Sequence, residues 1–189
     1  MNNNHLHKDL EKNLIEGIRS GDEQAFEKVF LKYYAMLSSV AADYVGSYDM
    51  GKEIAHEVLI SLWERGADWN PVGPLKPYLY QAVIKMSMTV MKKDRRRRNM
   101  MERYSVMLDE TENNLDRQID ENELKNNIWS VVRKLPQKRY MVFLLHKRYE
   151  LSYKEIAQVM NISIKTVENQ MGSALKYIRK ELSRNYLEE

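Results

Sequence analysis

The chain has 189 residues, room for one ordinary domain or two small ones, and its 43% hydrophobic and 30% charged side chains describe a folded protein rather than a disordered one. It has no cysteine, which excludes disulfide scaffolds, thiolate zinc sites and cysteine nucleophiles, and seven glycines and four prolines are few for a barrel or sandwich with many tight turns. The net charge of +3 hides a segregation: residues 109–124 hold seven acidic side chains against one basic, and residues 125–189 hold thirteen basic against six acidic.

Apolar residues recur at helical spacing through most of the first hundred positions. Leu10, Leu14, Ile15 and Ile18 mark a first amphipathic helix, stopped at Ser20-Gly21. Asp22 is placed to cap a second, with Phe26, Val29, Phe30, Tyr33, Leu37, Val40, Ala41 and Tyr44 as its stripe. Gly46 to Gly51 reads as a break. A third helix follows through Ile54, Val58, Leu59 and Leu62, the spacing of one buried face. Pro71, Gly73, Pro74 and Pro77 make Asp68 to Pro77 a loop. A further helix is expected from Tyr78 to about Arg98, with Leu79, Ala82, Val83, Met86 and Val90 inward. Its end carries Lys92, Lys93, Arg95, Arg96, Arg97 and Arg98 almost consecutively. Such a run is either a solvated helix end or a set of phosphate contacts.

Residues 109–123 (DETENNLDRQIDENE) have little apolar content and read as a linker. Helices resume at Leu124, Ile128, Val131, Val132 and Leu135. Pro136 fits the first turn of the next, which carries Met141, Val142, Leu144 and Leu145. No strand-type alternation persists, so the fold class is all-α with two small helical domains. No apolar run approaches the roughly 18–20 residues of a membrane span, and the start, MNNNHLHKDLEKN, lacks the apolar core of a signal peptide. A cytoplasmic location is expected.

The densest signal is LSYKEIAQVMNISIKTVENQMGSALKYIRKEL, residues 151–182. Ser152 and Glu155 have capping-box spacing, so a helix begins there with Ile156, Ala157, Val159 and Met160 inside. Asn161 suits a left-handed turn and Ile162 bridges it. Ser163 can cap a second helix with Val167, Met171, Ala174, Leu175 and Ile178 inward. Two short helices, a small residue at Ala157 and a tight turn make a helix-turn-helix. The outward side chains of its second helix, Lys165, Thr166, Glu168, Asn169, Gln170 and Ser173, can reach base edges and phosphates in a major groove. An ordinary helical hairpin with a polar exterior is the plainer alternative.

At this point the sequence resembles the extracytoplasmic-function sigma factors of the sigma-70 family, the two-domain class of bacterial sigma factors. The C-terminal stretch resembles their domain 4, in which this helix reads the −35 promoter element. GDEQAFEKVFLKYY resembles the opening of domain 2, EIAHEVLISLWER its polymerase-binding helix, and LKPYLYQAVIKMSMTVMKKDRRRR the segment that reads the −10 element. The resemblance implies domain 2 over 8–104, an acidic linker over 105–123 and domain 4 over 124–187. It implies a subunit that binds core RNA polymerase, through the β′ coiled coil and the β flap, and directs initiation at promoter DNA. Neither a cofactor nor a small-molecule substrate is implied. The family is often restrained by an anti-sigma factor, in many cases membrane-anchored.

The resemblance also assigns residues. Holding an opened strand requires cations for phosphates and flat side chains for unstacked bases. The −10 surface would be Trp69, Tyr78, Lys85, Thr89, Lys92, Lys93 and Arg95 to Arg98 (Arg95, Arg96, Arg97, Arg98), with at least one of Tyr78 and Tyr80 in the core instead. The loop before Tyr78 and the stretch Lys85 to Thr89 would form a pocket for a flipped base. The family often has Asn where this chain has Lys85 and Thr89. The −35 surface would be Lys165, Thr166, Glu168, Asn169, Gln170, Ser173 and Lys176. The polymerase face would be His56, Glu57, Ile60, Ser61 and Glu64, an apolar and acidic mix with Trp63 that a purely solvated helix would not choose. His56-Glu57 stands where the family has a Gln-Glu pair.

Two other classes remain to be weighed. KTVENQ also resembles the output domains of LuxR-type regulators, but those want a receiver of alternating strands and helices, which the sequence lacks. An enzyme would want a Gly-rich phosphate loop, a supported triad or a metal cluster, and none is legible; His56-Glu57 starts HExxH, but Ile60 stands where the second His is required.

Overall fold

The computed structural model describes residues 3–71, 73–104 and 123–185, with side chains over 10–71, 73–97 and 128–184. The acidic segment expected to be a linker lies almost wholly outside the described residues, as does the side chain of Arg98. Among the described residues every regular element is helical. They are α1 (Asn3–Arg19), α2 (Glu23–Val45), α3 (Tyr48–Arg65), a 3-10 turn (Gly66–Asp68), α4 (Leu75–Tyr104), α5 (Glu123–Arg133), α6 (Gln137–Lys147), α7 (Tyr153–Met160) and α8 (Ile164–Asn185). The chain divides into two compact units, Met1–Asn114 and Leu115–Glu189. The all-α, two-domain fold class is therefore the one observed.

In the first unit α2 is the central element. Asp22 starts it, its Oδ1 accepting from the Gln24 N–H at 2.9 Å and the Ala25 N–H at 3.3 Å, and Gly46 ends it in the left-handed conformation. Helix α3 packs along α2, with α1 and α4 beside them. Ile18, Val29, Leu37, Val40, Ile54, Leu59, Leu62, Leu79, Tyr80 and Val83 are buried together as the core. Each large apolar side chain stabilises by about 1.5–3 kcal/mol relative to exposure. Leu10, expected on the inner face of α1, is 55% exposed.

Two boundaries differ from the sequence expectation. Gly51 does not break a helix but lies inside α3, where a Cβ would stand 2.6 Å from the Ser38 carbonyl oxygen and 2.7 Å from the Ala42 nitrogen. Its bare backbone is what lets α3 close on α2. The loop after Asp68 also ends early. Helix α4 begins at Leu75, not Tyr78, because Pro77 falls in the first turn, where no N–H is needed.

The second unit packs α5, α6 and α7 against α8. Val131, Val132, Met141, Val142, Leu144, Leu145, Leu151, Ile156, Val159, Val167, Met171 and Ala174 fill its core. Pro136 stands just before α6 as its N-cap residue rather than within the first turn. Leu175, expected inside, is 43% exposed. At about 100° per residue it falls roughly 70° from the line through Val167, Met171, Ala174 and Ile178.

Candidate nucleic-acid interface

The helix-turn-helix is fixed by three local devices. Ser152 and Glu155 form the full capping box: Glu155 N–H donates to Ser152 Oγ at 3.3 Å, and Ser152 N–H donates to Glu155 Oε2 at 2.8 Å. Asn161 closes α7 in the left-handed region (φ 52°), and Ile162 N–H returns to the Ala157 carbonyl at 3.0 Å. Ser163 Oγ then accepts the Thr166 N–H at 3.0 Å, opening α8. Ala157 is buried at the crossing, where a larger side chain would hold the helices apart.

Helix α8 sorts its side chains by face. Val167, Met171, Ala174 and Ile178 point inward. Lys165, Glu168, Asn169 and Lys176 are exposed, while Thr166, Gln170 and Ser173 are half-buried along the flank. Lys165 Nζ lies 3.1 Å from Glu168 Oε2, an exposed pair whose net contribution is about 0–1 kcal/mol and which a phosphate can therefore displace. Between Asn169 and Lys176 the face carries Gly172, exposed, with nothing within 4 Å of where its Cβ would be. The sequence reading did not single it out. Its signal was a glycine in mid-helix, where alanine would be favoured by about 1 kcal/mol.

On the first unit, α4 gathers most of the residues named for single-stranded DNA. Lys85, Thr89, Lys92, Lys93, Arg95, Arg96 and Arg97 are all exposed, and Met88 stands exposed among them. The helix continues to Tyr104, so the arginines are not its end. Thr89 Oγ1 donates to the Lys85 carbonyl at 3.0 Å, which fixes its rotamer. Trp69 does not join this face. Its ring is fully buried, 6.0 Å from that of Tyr78, and its indole N–H meets no acceptor among the described residues. Tyr80 is also fully buried, its hydroxyl donating to Met36 Sδ; burial pushes that hydroxyl well above the usual tyrosine range, with the neighbouring Tyr33 adding to it. Tyr78 is half-buried, its hydroxyl 3.5 Å from Arg65 Nη1.

Helix α3 exposes His56, Glu57, Ser61 and Glu64, with Ile60 and Trp63 half-buried. Beside them runs an aromatic ledge, of which Phe26 and Phe30 belong to the stripe expected for α2. Trp63 lies tilted 5.1 Å from Phe26, Phe26 lies 6.0 Å from Phe30, Phe30 stacks on Tyr34 at 4.8 Å, and His56 meets Phe30 edge-on at 6.2 Å. Half-buried rings next to carboxylates are suited to a protein partner. Among the described residues there is no cluster of three or more potential metal ligands, and no helix is long and apolar enough to cross a membrane.

Known proteins share this arrangement. The family described as Sigma-70, region 4, matches residues 125–178, the stretch that contains the helix-turn-helix. The ECF RNA polymerase sigma-E factors of Escherichia coli K12 and Salmonella typhimurium LT2 are each 21% identical over 173 residues, covering 87% of this chain and 90% of theirs. Among solved structures, CnrH in complex with the cytosolic domain of CnrY is similar with a TM-score of 0.66 at 18% identity, over 93% of this chain and 98% of that one. The sigma factor RpoE of Bartonella quintana, in complex with the anti-sigma factor NepR, is similar with a TM-score of 0.64 at 16% identity, over 84% of this chain and 96% of that one. Residues 125–178 thus match the sigma-70 region 4 family, and over most of its length the chain is similar to extracytoplasmic-function sigma factors.

Proposed function

We propose that this chain is a sigma factor that makes initiation promoter-specific by reading two DNA elements with two separate helices. Residues 8–104 bind polymerase and open and read the −10 element; residues 124–187 read the −35 element; residues 105–123 connect them. The observation that carries the reading is the pairing, in one chain, of a capped helix-turn-helix with a second helix that exposes Lys92, Lys93, Arg95, Arg96 and Arg97 within about two turns, with Lys85 about two turns before them.

At the −35 element, α8 lies in the major groove with Asn169, Gln170, Glu168 and Ser173 at base edges and Lys165, Thr166 and Lys176 at phosphates. At the −10 element the backbone of the displaced strand follows Lys85, Lys92, Lys93, Arg95, Arg96, Arg97 and Arg98, and Tyr78 and Thr89 border the pocket for a flipped base. Trp69 acts from beneath, as the buried anchor of the pocket loop. His56, Glu57, Ile60, Ser61 and Glu64, with the aromatic ledge, form the docking face for the β′ coiled coil, and the second unit meets the β flap. The protein contributes binding and strand separation and carries out no catalysis of its own. The presence of NepR on the similar RpoE supports an anti-sigma protein as a further partner.

Reconstitution with core polymerase on a promoter library varied at both elements tests this reading. Initiation that depends on the sequence of both elements is expected. Initiation indifferent to both, or duplex binding that needs no polymerase, would overturn it; the latter is what a LuxR-type regulator does, and the alignment across both units already disfavours that class.

A further inference from the structure

The loop that leads into α4 is held at both ends by the first helix. Arg19 Nε donates to the Ala67 carbonyl at 3.3 Å, in the 3-10 turn, and Leu75 N–H donates to Glu11 Oε1 at 2.9 Å. Leu75 is the first residue of α4, so its N–H has no carbonyl within the helix to meet. The side chain of the residue before a helix usually meets one of the free N–H groups of its first turn, most often that of the second or third helical residue. Here that residue is Pro74, which has no side-chain acceptor. The acceptor arrives instead from 64 positions earlier in the chain. A carboxylate there also suits the positive end of the helix dipole.

The surroundings show that the carboxylate is directed inward. Leu75 is fully buried and Glu11 half-buried, and both line one groove with Tyr33 and Pro74. Burial and the nearby Glu11 together push the Tyr33 hydroxyl up to about 12. Helix α4 is 30 residues long, so most of its own hydrogen bonds lie beyond this contact. What it fixes is where α4 begins and how the chain enters it at Pro74.

We propose that Glu11 is a positioning residue for the −10 site: by capping α4 in trans it sets the entry of the pocket loop and so the register of Tyr78, Lys85 and Thr89 against the flipped base. The inference rests on the −10 reading given above. Glu11 touches no DNA in it.

Native protein, Glu11→Gln and Glu11→Ala, each reconstituted with core polymerase, are compared on promoters differing at single −10 bases and at single −35 bases. Glu11→Ala is expected to lose roughly three- to ten-fold in −10 discrimination, the size of a lost cap, with −35 preference and polymerase affinity unchanged. Glu11→Gln retains an oxygen that can accept the same bond and is expected to stay within about two-fold of the native protein. Amide exchange of the full-length free chain gives a direct reading, with Leu75 N–H exchanging about ten-fold faster in Glu11→Ala and little changed in Glu11→Gln. A native protein without −10 preference overturns the −10 reading and this inference with it. A native protein that discriminates, beside a Glu11→Ala variant that discriminates equally, overturns the inference alone. A Glu11→Ala variant that loses the helicity of its first unit overturns it too, since a residue that only sets the loop is dispensable for the fold.

Discussion

Two residues of this protein report on its folding, Tyr33 through its burial and Asn161 through its backbone. Tyr33 is almost wholly inside the first unit, where desolvation and then the Glu11 carboxylate raise its hydroxyl to about 12 from the ordinary 10. The folded state thus keeps a proton that the unfolded chain releases. Its contribution is complete below pH 10 and is lost as the pH rises towards 12, by up to about 1.4 kcal/mol per pH unit. Urea unfolding across that window is expected to show stability falling with pH in the native protein and falling less steeply in Tyr33→Phe; equal slopes would mean that Tyr33 titrates alike in both states. Asn161 reports on the second unit. Its left-handed backbone costs a branched side chain about 1–2 kcal/mol and costs glycine little. Asn161→Val is therefore expected to lower the melting temperature of the chain, and Asn161→Gly to leave it nearly unchanged.

At the scale of single helices, what the sequence discloses is what neighbouring residues decide. The capping box at Ser152 and Glu155, the turn at Asn161 and the cap at Asp22 involve partners two to four positions apart, so their residue types alone announce them. The start of α4 was obscured by Pro77, which reads as a breaker although the first turn of a helix leaves its missing N–H without consequence. The burial of Trp69, the place of Gly51 inside α3 and the cap from Glu11 depend on packing between distant segments, and no local pattern carries them. Among the proposed contacts, α8 divides into two kinds. Asn169→Ala is expected to change base preference at one −35 position, where a base-edge contact discriminates by about 1–3 kcal/mol, whereas Lys176→Ala weakens all sequences alike. Competition binding on a −35 library separates the two, and unaltered preference in Asn169→Ala would remove it from the base contacts. On α4, changing Arg95, Arg96 and Arg97 to Gln is expected to lower the magnitude of the log–log salt slope of promoter binding by roughly 2–3, less where the contacted DNA is single-stranded. An unchanged slope would leave these arginines as solvated side chains.

For the molecule as a whole, the test of its role is the partner rather than the DNA. Ile60 sits at the centre of a face made by His56, Glu57, Ser61 and Glu64 and bordered by rings, while Ile54, Val58, Leu59 and Leu62 hold the helix to its own core. Ile60→Asp is expected to reduce affinity for core polymerase at least ten-fold, about 1.4 kcal/mol, without altering the preference of the full chain for −35 duplex. Intact polymerase affinity in a folded variant would move the docking face elsewhere. Gly172 sets a different balance. Open space surrounds its missing Cβ, so an alanine would meet no obstacle and would lower the conformational entropy that the unfolded chain loses on folding, raising stability by about 0.5–1 kcal/mol. The chain leaves that gain untaken in the middle of the face proposed to enter the major groove. If that proposal holds, Gly172→Ala should melt at a higher temperature yet bind its −35 duplex more weakly, because the dent in α8 would let DNA come closer to the helix axis than any side chain permits; equal binding would leave the glycine without a part in the contact.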